Sequence, residues 1–315
     1  MDVFSDVMRG VRADDSTFGR STLRAPWALR FDDGPPLTLV SVLHGSGWIV
    51  PDGRPPEHLG ARDTVVVCGP AGFAFVDEIG TTAPTVPCGE RRSTLGRPGS
   101  VHRRGWCDAA PDAPGSTTVV VGAYPVGGEI SYRLLDALPT VIRVPAVETG
   151  DPVLDHLAAE IAVDAPGQQA VLDRLLDWLL VCTLREWFDR PGNDPPAWWA
   201  AQRDPVVGAA LRLLHADPAA TWTVAGLAAR TGVSRSTLAR RFAELLGEGP
   251  LTYLARWRMT LAADLLSAPE PTMLEEVAQV VGYADAFAFS TAFKRIRGVS
   301  PSEFRRRATA LDRSA

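Results

Sequence analysis

The basic stretch between Val233 and Phe242 contains side chains whose types and spacing suit nucleic-acid chemistry. Leu238 and Phe242 lie four residues apart, which predicts the buried face of a helix with the polar residues on its exposed sides. Arginine can pair bidentately with guanine O6 and N7, and serine or threonine can bond bases or phosphates. The alternative for isolated arginines is a solvated basic face. The candidate contacts are Ser234, Arg235, Ser236, Thr237, Arg240 and Arg241.

A second stretch, 285–297, has few hydrogen-bonding side chains. Phe289 and Phe293 are most simply core residues, whereas Phe287 is either exposed, where it could touch a thymine methyl group, or partly buried. We therefore expect this stretch to read DNA weakly, through shape and methyl groups. The candidates near base edges are Ala286, Phe287, Ser290 and Thr291, and the candidates for phosphate contacts are Lys294, Arg295 and Arg297.

Metal or acid–base catalysis has little support in the sequence. His44, His58 and His102 are far apart, although three histidines could still converge in a fold, and no H-x-H motif occurs. The adjacent carboxylates Asp77 and Glu78 would point to opposite sides of a strand. No G-x-S-x-G, H-E-x-x-H or phosphate-loop motif is present. We expect no catalytic residue, no metal site and no cofactor.

Two of the four cysteines are candidates for a redox switch. Cys88 and Cys107 lie near arginines, which favour the thiolate that oxidises, in a loop rich in Gly, Pro and Arg. The alternative is two incidental loop cysteines. Cys68 and Cys182 are typical of small core side chains, and the absence of a C-x-x-C pair favours reduced thiols.

Location is indicated by the N-terminus and by hydropathy. The first six residues include two acidic ones, Asp2 and Asp6, where an export signal would be basic, and no apolar run is long enough for a membrane span. We expect a cytoplasmic protein without membrane contact.

The elements that must position the basic stretch repeat themselves. Leu227-Ala228-x3-Gly232 recurs fifty residues later as Val277-Ala278-x3-Gly282, and each unit closes with a G-x-x-P motif, at 247–250 and 298–301. A short helix, a turn containing glycine and a second helix form a helix-turn-helix, whose second helix can enter the major groove. Two matches in register indicate two such units.

Residues 272–305 resemble the signature of AraC/XylS-type transcriptional regulators, with Glu276-Val277-Ala278, Gly282-Tyr283, Phe289-Ser290, Phe293-Lys294 and Gly298-x-Ser300-Pro301. The resemblance covers about 208–306. It implies seven helices, a connecting helix Leu251–Ser267 and binding to two successive major-groove faces of double-stranded DNA. It points to Ser236 and Arg240 as groove-facing, and a regulator of this kind is expected to contact RNA polymerase.

The N-terminal part has short β-type runs separated by turn residues, at Leu37–Leu43, Thr64–Cys68, Phe73–Val76 and Thr117–Ala123. Residues 59–67 resemble a turn-and-strand element of cupin barrels. The expected fold class is α+β, a cupin-like β-barrel with a helical pair followed by an all-α double helix-turn-helix domain. The rival is a cupin-type metalloenzyme with an appended helix-turn-helix domain, but the family's metal histidines are missing.

We expect a sensor domain at 1–145, controlled by a small-molecule or redox signal. Its aromatic residues either line the site of a small organic effector or simply fill the barrel core. The wall candidates are Trp48, Phe73, Phe75 and Tyr124.

Residues 146–189 have a helical period, broken at Pro166-Gly167, which predicts an antiparallel pair. The segment Leu154–Trp187 either dimerises with a second copy or docks on its own domain. Residues 190–204 are predicted to be a linker stiffened by proline, followed by the DNA-binding domain at 205–307.

The charge distribution agrees with this division. From Arg203 onward, fifteen Arg and Lys stand against eleven Asp and Glu, whereas residues 1–202 contain 17 basic and 26 acidic residues. Positive charge therefore lies on the part proposed to meet phosphates.

Overall fold

In the computed structural model the described residues are 2–13, 19–31, 36–69, 71–82, 116–124, 126, 128–146, 151–162, 165–268, 270 and 272–312. They form two compact units. The sheet unit consists of Val11–Val126 and Ala137–Asp194, and the helical unit consists of Met1–Gly10, Gly127–Asp136 and Pro195–Ala315. This division differs from the predicted boundaries, because residues 1–10 and 127–136 of the predicted sensor domain belong to the helical unit.

The sheet unit contains two antiparallel sheets. One has the strand order β1-β8-β3-β6-β9, and the other has the order β2-β7-β4-β5. All four predicted strands are confirmed, while β1, β2, β4, β5 and β9 were not predicted. The strands are β1 Gly19–Arg24, β2 Ala28–Phe31, β3 Leu37–His44, β4 Gly47–Pro51, β5 Glu57–Leu59, β6 Thr64–Cys68, β7 Phe73–Val76, β8 Ser116–Tyr124 and β9 Val141–Val144.

The core of the sheet unit is filled by apolar side chains from both sheets. Phe31 and Phe73 stack with ring centroids 4.5 Å apart, and Trp27 lies 4.9 Å from Phe75. Gly47 makes this packing possible, since a Cβ there would lie 2.8 Å from the Trp27 ring and 2.9 Å from Phe75. The buried cluster comprises Leu23, Trp27, Leu29, Phe31, Val40, Val42, Ile49, Leu59, Val65, Val67, Phe73, Phe75, Val119 and Val121.

The predicted helical pair is confirmed as α3 (Pro152–Ala162) and α4 (Gln168–Asp189), and Gly167 between them has a positive φ of 83°. The pair packs within its own unit. The Tyr124 hydroxyl on β8 donates a 2.8 Å hydrogen bond to the carbonyl oxygen of Leu176 on α4. Because β8 is covered on both faces, all of its residues are buried.

The helical unit contains the seven helices that the family resemblance implies, α6 to α12, and the long connecting helix begins one residue earlier than predicted. Three further helices belong to this unit, one of them inside the predicted linker, where Trp199 packs on Phe4 with ring centroids 5.3 Å apart. The helices are α1 Val3–Val7, α2 Glu129–Leu135, α5 Ala197–Ala201, α6 Val207–Ala216, α7 Val224–Thr231, α8 Arg235–Leu246, α9 Pro250–Ser267, α10 Leu274–Val280, α11 Ala286–Arg297 and α12 Pro301–Asp312.

Helix α9 contributes to two separate hydrophobic cores. Its first half, including Tyr253 and Trp257, packs in the core that holds Leu238 and Phe242 of α8. Its second half, including Met259, packs in the core around Phe289 and Phe293 of α11. The two helix-turn-helix subdomains are thus built on successive segments of one helix.

Candidate nucleic-acid interface

The first helix-turn-helix consists of α7 and α8, and local hydrogen bonds define where each helix begins and ends. Gly232 ends α7 in the left-handed conformation, with φ 71°. Ser234 is the N-cap of α8, and its Oγ accepts a 3.1 Å hydrogen bond from the backbone N–H of Thr237. The turn therefore leaves the first residues of α8 in a fixed orientation.

The predicted contacts of α8 lie on its open side. Arg235, Ser236 and Arg240 are exposed, and Thr237 and Arg241 are half-buried. The guanidinium of Arg240 donates a 2.6 Å hydrogen bond to Glu244 one turn later. Exposed pairs of this kind contribute only about 0.3–0.5 kcal/mol, so a base or phosphate can replace the carboxylate at small cost. Arg241 lies 3.5 Å from Asp204.

The second helix-turn-helix consists of α10 and α11 and repeats this construction. Gly282 has φ 77°, and a side chain there would overlap the carbonyl oxygen of Ala219. Asp285 is the N-cap of α11, and its Oδ1 accepts a 2.7 Å hydrogen bond from the N–H of Ala288. Both the backbone conformation and the neighbouring chain oppose a Cβ at Gly282, so glycine is strongly favoured at this position.

The exposed surface of α11 is apolar at its N-terminal end. Phe287 is 83% exposed, whereas Phe289 and Phe293 are fully buried. Ala286 and Ser290 are half-buried and Thr291 is exposed. The alternative of a partly buried Phe287 is therefore wrong. A phenylalanine this exposed costs free energy in water, which makes an apolar partner favourable.

Of the three basic residues predicted to meet phosphates from α11, two are open to solvent. Lys294 and Arg295 are exposed. Arg297 instead donates a 2.7 Å hydrogen bond from Nη1 to Glu129 on α2, and its Nη2 lies 3.5 Å from the carbonyl oxygen of Met259. The Arg297 guanidinium is therefore directed into the helical unit rather than toward a phosphate.

Arg258 on α9 is a functional candidate that the sequence reasoning missed. Its Nε donates to the carbonyl oxygen of Pro218 at 2.7 Å, and its Nη2 donates to that of Ala220 at 2.9 Å. Burial lowers the pKa of Arg258. This side chain ties the loop before α7 to α9, and its partners are backbone atoms that sequence pattern does not reveal.

A buried polar chain holds α1 to the helical unit and was also missed. The Nδ1 of His215 on α6 lies 2.6 Å from the Asp6 carboxylate, and its Nε2 lies 2.7 Å from the hydroxyl of Tyr253 on α9. His215 also lies over Trp257, with ring centroids 4.5 Å apart. A buried histidine with both ring nitrogens paired fixes the position of α1 against α6 and α9.

Helix α2 is held by Asp264 on α9. The Asp264 carboxylate accepts hydrogen bonds from the backbone N–H groups of Glu129 and Ile130, the latter at 3.4 Å. Burial raises the pKa of Asp264 to about 6, although both backbone donors act in the opposite direction. Further along α2, the guanidinium of Arg133 lies 5.7 Å from the Trp257 ring centroid.

The four predicted wall residues of an effector cavity do not surround one space. Phe73 and Phe75 are buried in the core between the sheets. Trp48 is half-buried beside His58, on the opposite face of β4 from the core residue Ile49. Tyr124 packs against α4. Side chains alternate along a strand, so neighbouring positions on β4 face opposite ways.

The remaining chemical candidates are cysteines and histidines. Cys88, Cys107 and His102 lie outside the described residues, and burial raises the pKa of Cys68 to about 12. Among the described residues, no group of three or more His, Cys, Asp or Glu side chains could hold a metal ion. Within the same ranges, no helix has both the length and the apolar character that crossing a membrane requires.

Comparison with known proteins identifies the family. A cupin family model matches residues 2–189, and a helix-turn-helix domain model matches residues 227–307. An AraC-like transcription regulator of Streptomyces lividans is 33% identical over 315 residues, which cover 98% of this chain and 99% of that protein. The chain belongs to the AraC-type transcriptional regulators.

Two further relatives of this AraC-type regulator illustrate the match. A transcription regulator of Streptomyces antibioticus is 32% identical and covers 97% of this chain and 99% of its own length. The crystal structure of the DNA-binding domain of AdpA in complex with a target DNA matches 36% of this chain and 99% of that chain, at 31% identity and a TM-score of 0.33. The predicted DNA-binding regulator with a cupin-like N-terminal part and an AraC-type C-terminal domain is confirmed.

Proposed function

We propose that this AraC-type regulator reads an operator of two half-sites, with α8 in one major groove and α11 in the next. The observation that carries the proposal is the contrast between the two helices. Both begin at a capped, open N-terminus, but α8 presents Arg235, Ser236 and Arg240, whereas α11 presents Phe287. The two half-sites are therefore read by different chemistry.

In the first half-site, Arg240 pairs with a guanine edge and Ser236 faces the groove. Arg235 and Arg241 meet bases or phosphates on either side, and Ser234 and Thr237 lie at the phosphate backbone. The exposure of Arg235, Ser236 and Arg240 supports this assignment.

In the second half-site, Phe287 packs on thymine methyl groups. Ala286, Ser290 and Thr291 allow close approach of the helix, while Lys294 and Arg295 neutralise phosphates. Readout through one aromatic side chain and the shape of the groove gives weaker specificity than bidentate hydrogen bonds give.

Selection of bound sequences from a random duplex pool, followed by hydroxyl-radical footprinting, tests the proposal. Two protected windows with centres about 10 bp apart on one face of the duplex are expected. The window assigned to α8 should contain a conserved guanine, and the other should contain thymines. A single protected window would contradict the proposal.

We also propose that the regulator is a cytoplasmic homodimer, that it contacts RNA polymerase and that it has no catalytic role. The naming of full-length relatives as transcription regulators supports the absence of a catalytic role over a cupin-type metalloenzyme.

Val171 and Trp178 support dimerisation through α4, since they are 44% and 49% exposed and lie two turns apart on the same face. Sedimentation of the full chain should show a dimer that Trp178→Asp converts to monomer, and a wild-type monomer at tens of micromolar would contradict it.

The signal that controls DNA binding is proposed to act on the sheet unit, as a small organic effector or as oxidation of Cys88 and Cys107. An effector that binds the native state raises the melting temperature by mass action. A thermal-shift screen of metabolites, run in parallel with a titration of a thiol oxidant on wild type and Cys88→Ser, separates the two kinds of signal. A melting temperature that responds to neither would contradict both.

A further inference from the structure

We propose that α2 positions the second recognition helix, with Glu129 as the positioning residue that acts on α11 through Arg297. This inference rests on the proposed reading of DNA by α11. Helix α2 follows strand β8, which ends at Tyr124, after only four residues. It is therefore a piece of the predicted sensor domain that is built into the helical unit.

The ion pair between Glu129 and Arg297 is the central contact. The guanidinium donates to the carboxylate at 2.7 Å, and the Arg297 side chain is only 23% exposed. Its second nitrogen lies 3.5 Å from the Met259 carbonyl oxygen on α9. A partly buried, hydrogen-bonded pair holds its two elements together more strongly than an exposed pair does, because removing one partner leaves the other charge desolvated.

The start of α2 is fixed independently of that pair. Gly128 has φ 82°, and a Cβ there would lie 2.7 Å from Oδ1 of Asp264, so the chain passes directly over the Asp264 carboxylate. That carboxylate accepts the first backbone N–H groups of α2. Arg133 contacts Trp257 seven residues earlier on α9. Contacts along two turns of α9 thus set both the position and the direction of α2.

This arrangement places Arg297 in a structural role rather than at the DNA. Arg297 lies in the last turn of α11, ten residues after Phe287, which is about 15 Å along the helix. Recognition helices contact base edges mainly with their N-terminal residues. With the pair formed, α11 is held at its far end, and its N-terminus is presented at a constant angle. Movement of α2 would release that end and weaken only the second half-site.

The test compares full-length wild type with Glu129→Ala, Arg297→Ala and the double variant. Each is titrated against the selected operator and against a duplex whose second half-site is scrambled. Arg295→Ala is the matched control, because Arg295 is a basic residue near Arg297 on the same helix but is exposed. The charge exchange Glu129→Arg with Arg297→Glu restores the pair with reversed sign, and melting curves show which variants fold.

We expect each single variant, and the double variant, to lose about threefold to tenfold in affinity for the full operator, without additivity, because all three remove the same contact. Affinity for the scrambled duplex should be unchanged, and the charge exchange should recover part of the loss. The salt slope of Arg297→Ala should match wild type, whereas that of Arg295→Ala should fall by about one unit.

Three outcomes would overturn the inference while leaving the proposed function intact. They are a salt slope reduced by one unit in Arg297→Ala, a Glu129→Ala variant that binds as well as or better than wild type, and equal losses on both duplexes. A wild-type protein that binds the two duplexes equally well would instead overturn the reading of DNA by α11, and the inference with it.

Discussion

The Nη1 of Arg258 on α9 donates a 3.3 Å hydrogen bond to the carbonyl oxygen of Gly282, the residue at which the second helix-turn-helix turns. The same guanidinium donates to the carbonyl oxygens of Pro218 and Ala220, which precede the first. One planar cation therefore joins the entrance of the first subdomain to the turn of the second. We therefore expect the angle between the two recognition helices to depend on this side chain as well as on α9.

Replacing Arg258 with lysine should destabilise the helical unit by about 2 kcal/mol, since a single ammonium cannot span three carbonyl oxygens in fixed directions. Denaturant unfolding measures the loss. Arg256→Lys is the matched control on the same helix, where the side chain is 61% exposed and should change stability by less than about 0.5 kcal/mol. Equal losses of stability in Arg258→Lys and Arg256→Lys would contradict this role of the three Arg258 hydrogen bonds.

The two repeated glycines should differ in their tolerance of alanine. Both have positive φ, but a Cβ at Gly232 meets nothing within 4 Å, whereas at Gly282 it overlaps Ala219. Gly232→Ala should cost about 1–2 kcal/mol for the left-handed backbone alone. Gly282→Ala should cost roughly 1–3 kcal/mol more, because the backbone must also move. Unfolding curves that rank the two variants in the opposite order would contradict the packing described at Gly282.

Arg240→Ala should weaken binding to the selected operator by about 1–3 kcal/mol and relax the preference at one guanine. Arg295→Ala should weaken binding to all sequences about equally. Gel-shift salt titrations on the operator and on a duplex with both half-sites scrambled distinguish the two effects. If Arg240→Ala lost as much on that fully scrambled duplex as on the operator, Arg240 would be a phosphate contact.

Phe287 can be tested by removing the methyl group instead of the ring. Replacing a thymine of the second half-site with uracil should weaken wild-type binding by about 0.8 kcal/mol, roughly fourfold, which is the value of one buried methyl or methylene group. Phe287→Ala should bind both duplexes equally. The same base change in the first half-site is the control. A uracil effect that persists undiminished in Phe287→Ala would assign the contact to another residue.

Asp264 should make the stability of the helical unit depend on pH. Burial raises the pKa of its carboxyl group from 3.8 to about 6, so ionisation opposes the folded state. Stability from this group is complete below about pH 3.8 and is lost as the pH rises to about 6. Asp264→Asn keeps the acceptor oxygen but cannot ionise.

The free energy of unfolding of Asp264→Asn, relative to wild type, should therefore increase from about pH 4 to about pH 6 and then level off. Asp264→Ala should be destabilised at every pH, because it also loses the two backbone hydrogen bonds. A difference between Asp264→Asn and wild type that stays constant over this range would contradict the raised pKa.

The helix-turn-helix elements were predictable because their signals are local. Ser234, a residue type that favours the N-cap, caps α8, and the spacing of Leu238 and Phe242 correctly identified the buried face of that helix. The sequence does not predict the exposure of Phe287, because periodicity alone does not say how far a neighbouring element covers a position.

Other features depend on residues distant in the chain. Glu129 and Arg297 are 168 residues apart, and α2 follows a Gly-Gly pair that is typical of a loop. Short strands such as β2 cannot be recognised from the sequence, because four residues, one of them Arg30, are too few to show an apolar pattern. The sequence could have predicted that the Trp48 side chain points away from the core, because Ile49 beside it is the better core residue and side chains alternate along a strand.

Because His215 lies 209 residues after Asp6, the order of synthesis matters for the helical unit. A ribosome that adds about 5 to 20 residues per second completes His215 about 10 to 40 s after Asp6. During that interval Asp6 can pair with Arg9 beside it but not with His215, and the apolar side of Val3 has no core to join. The N-terminus of the nascent chain is therefore the first part made and among the last to reach its native position.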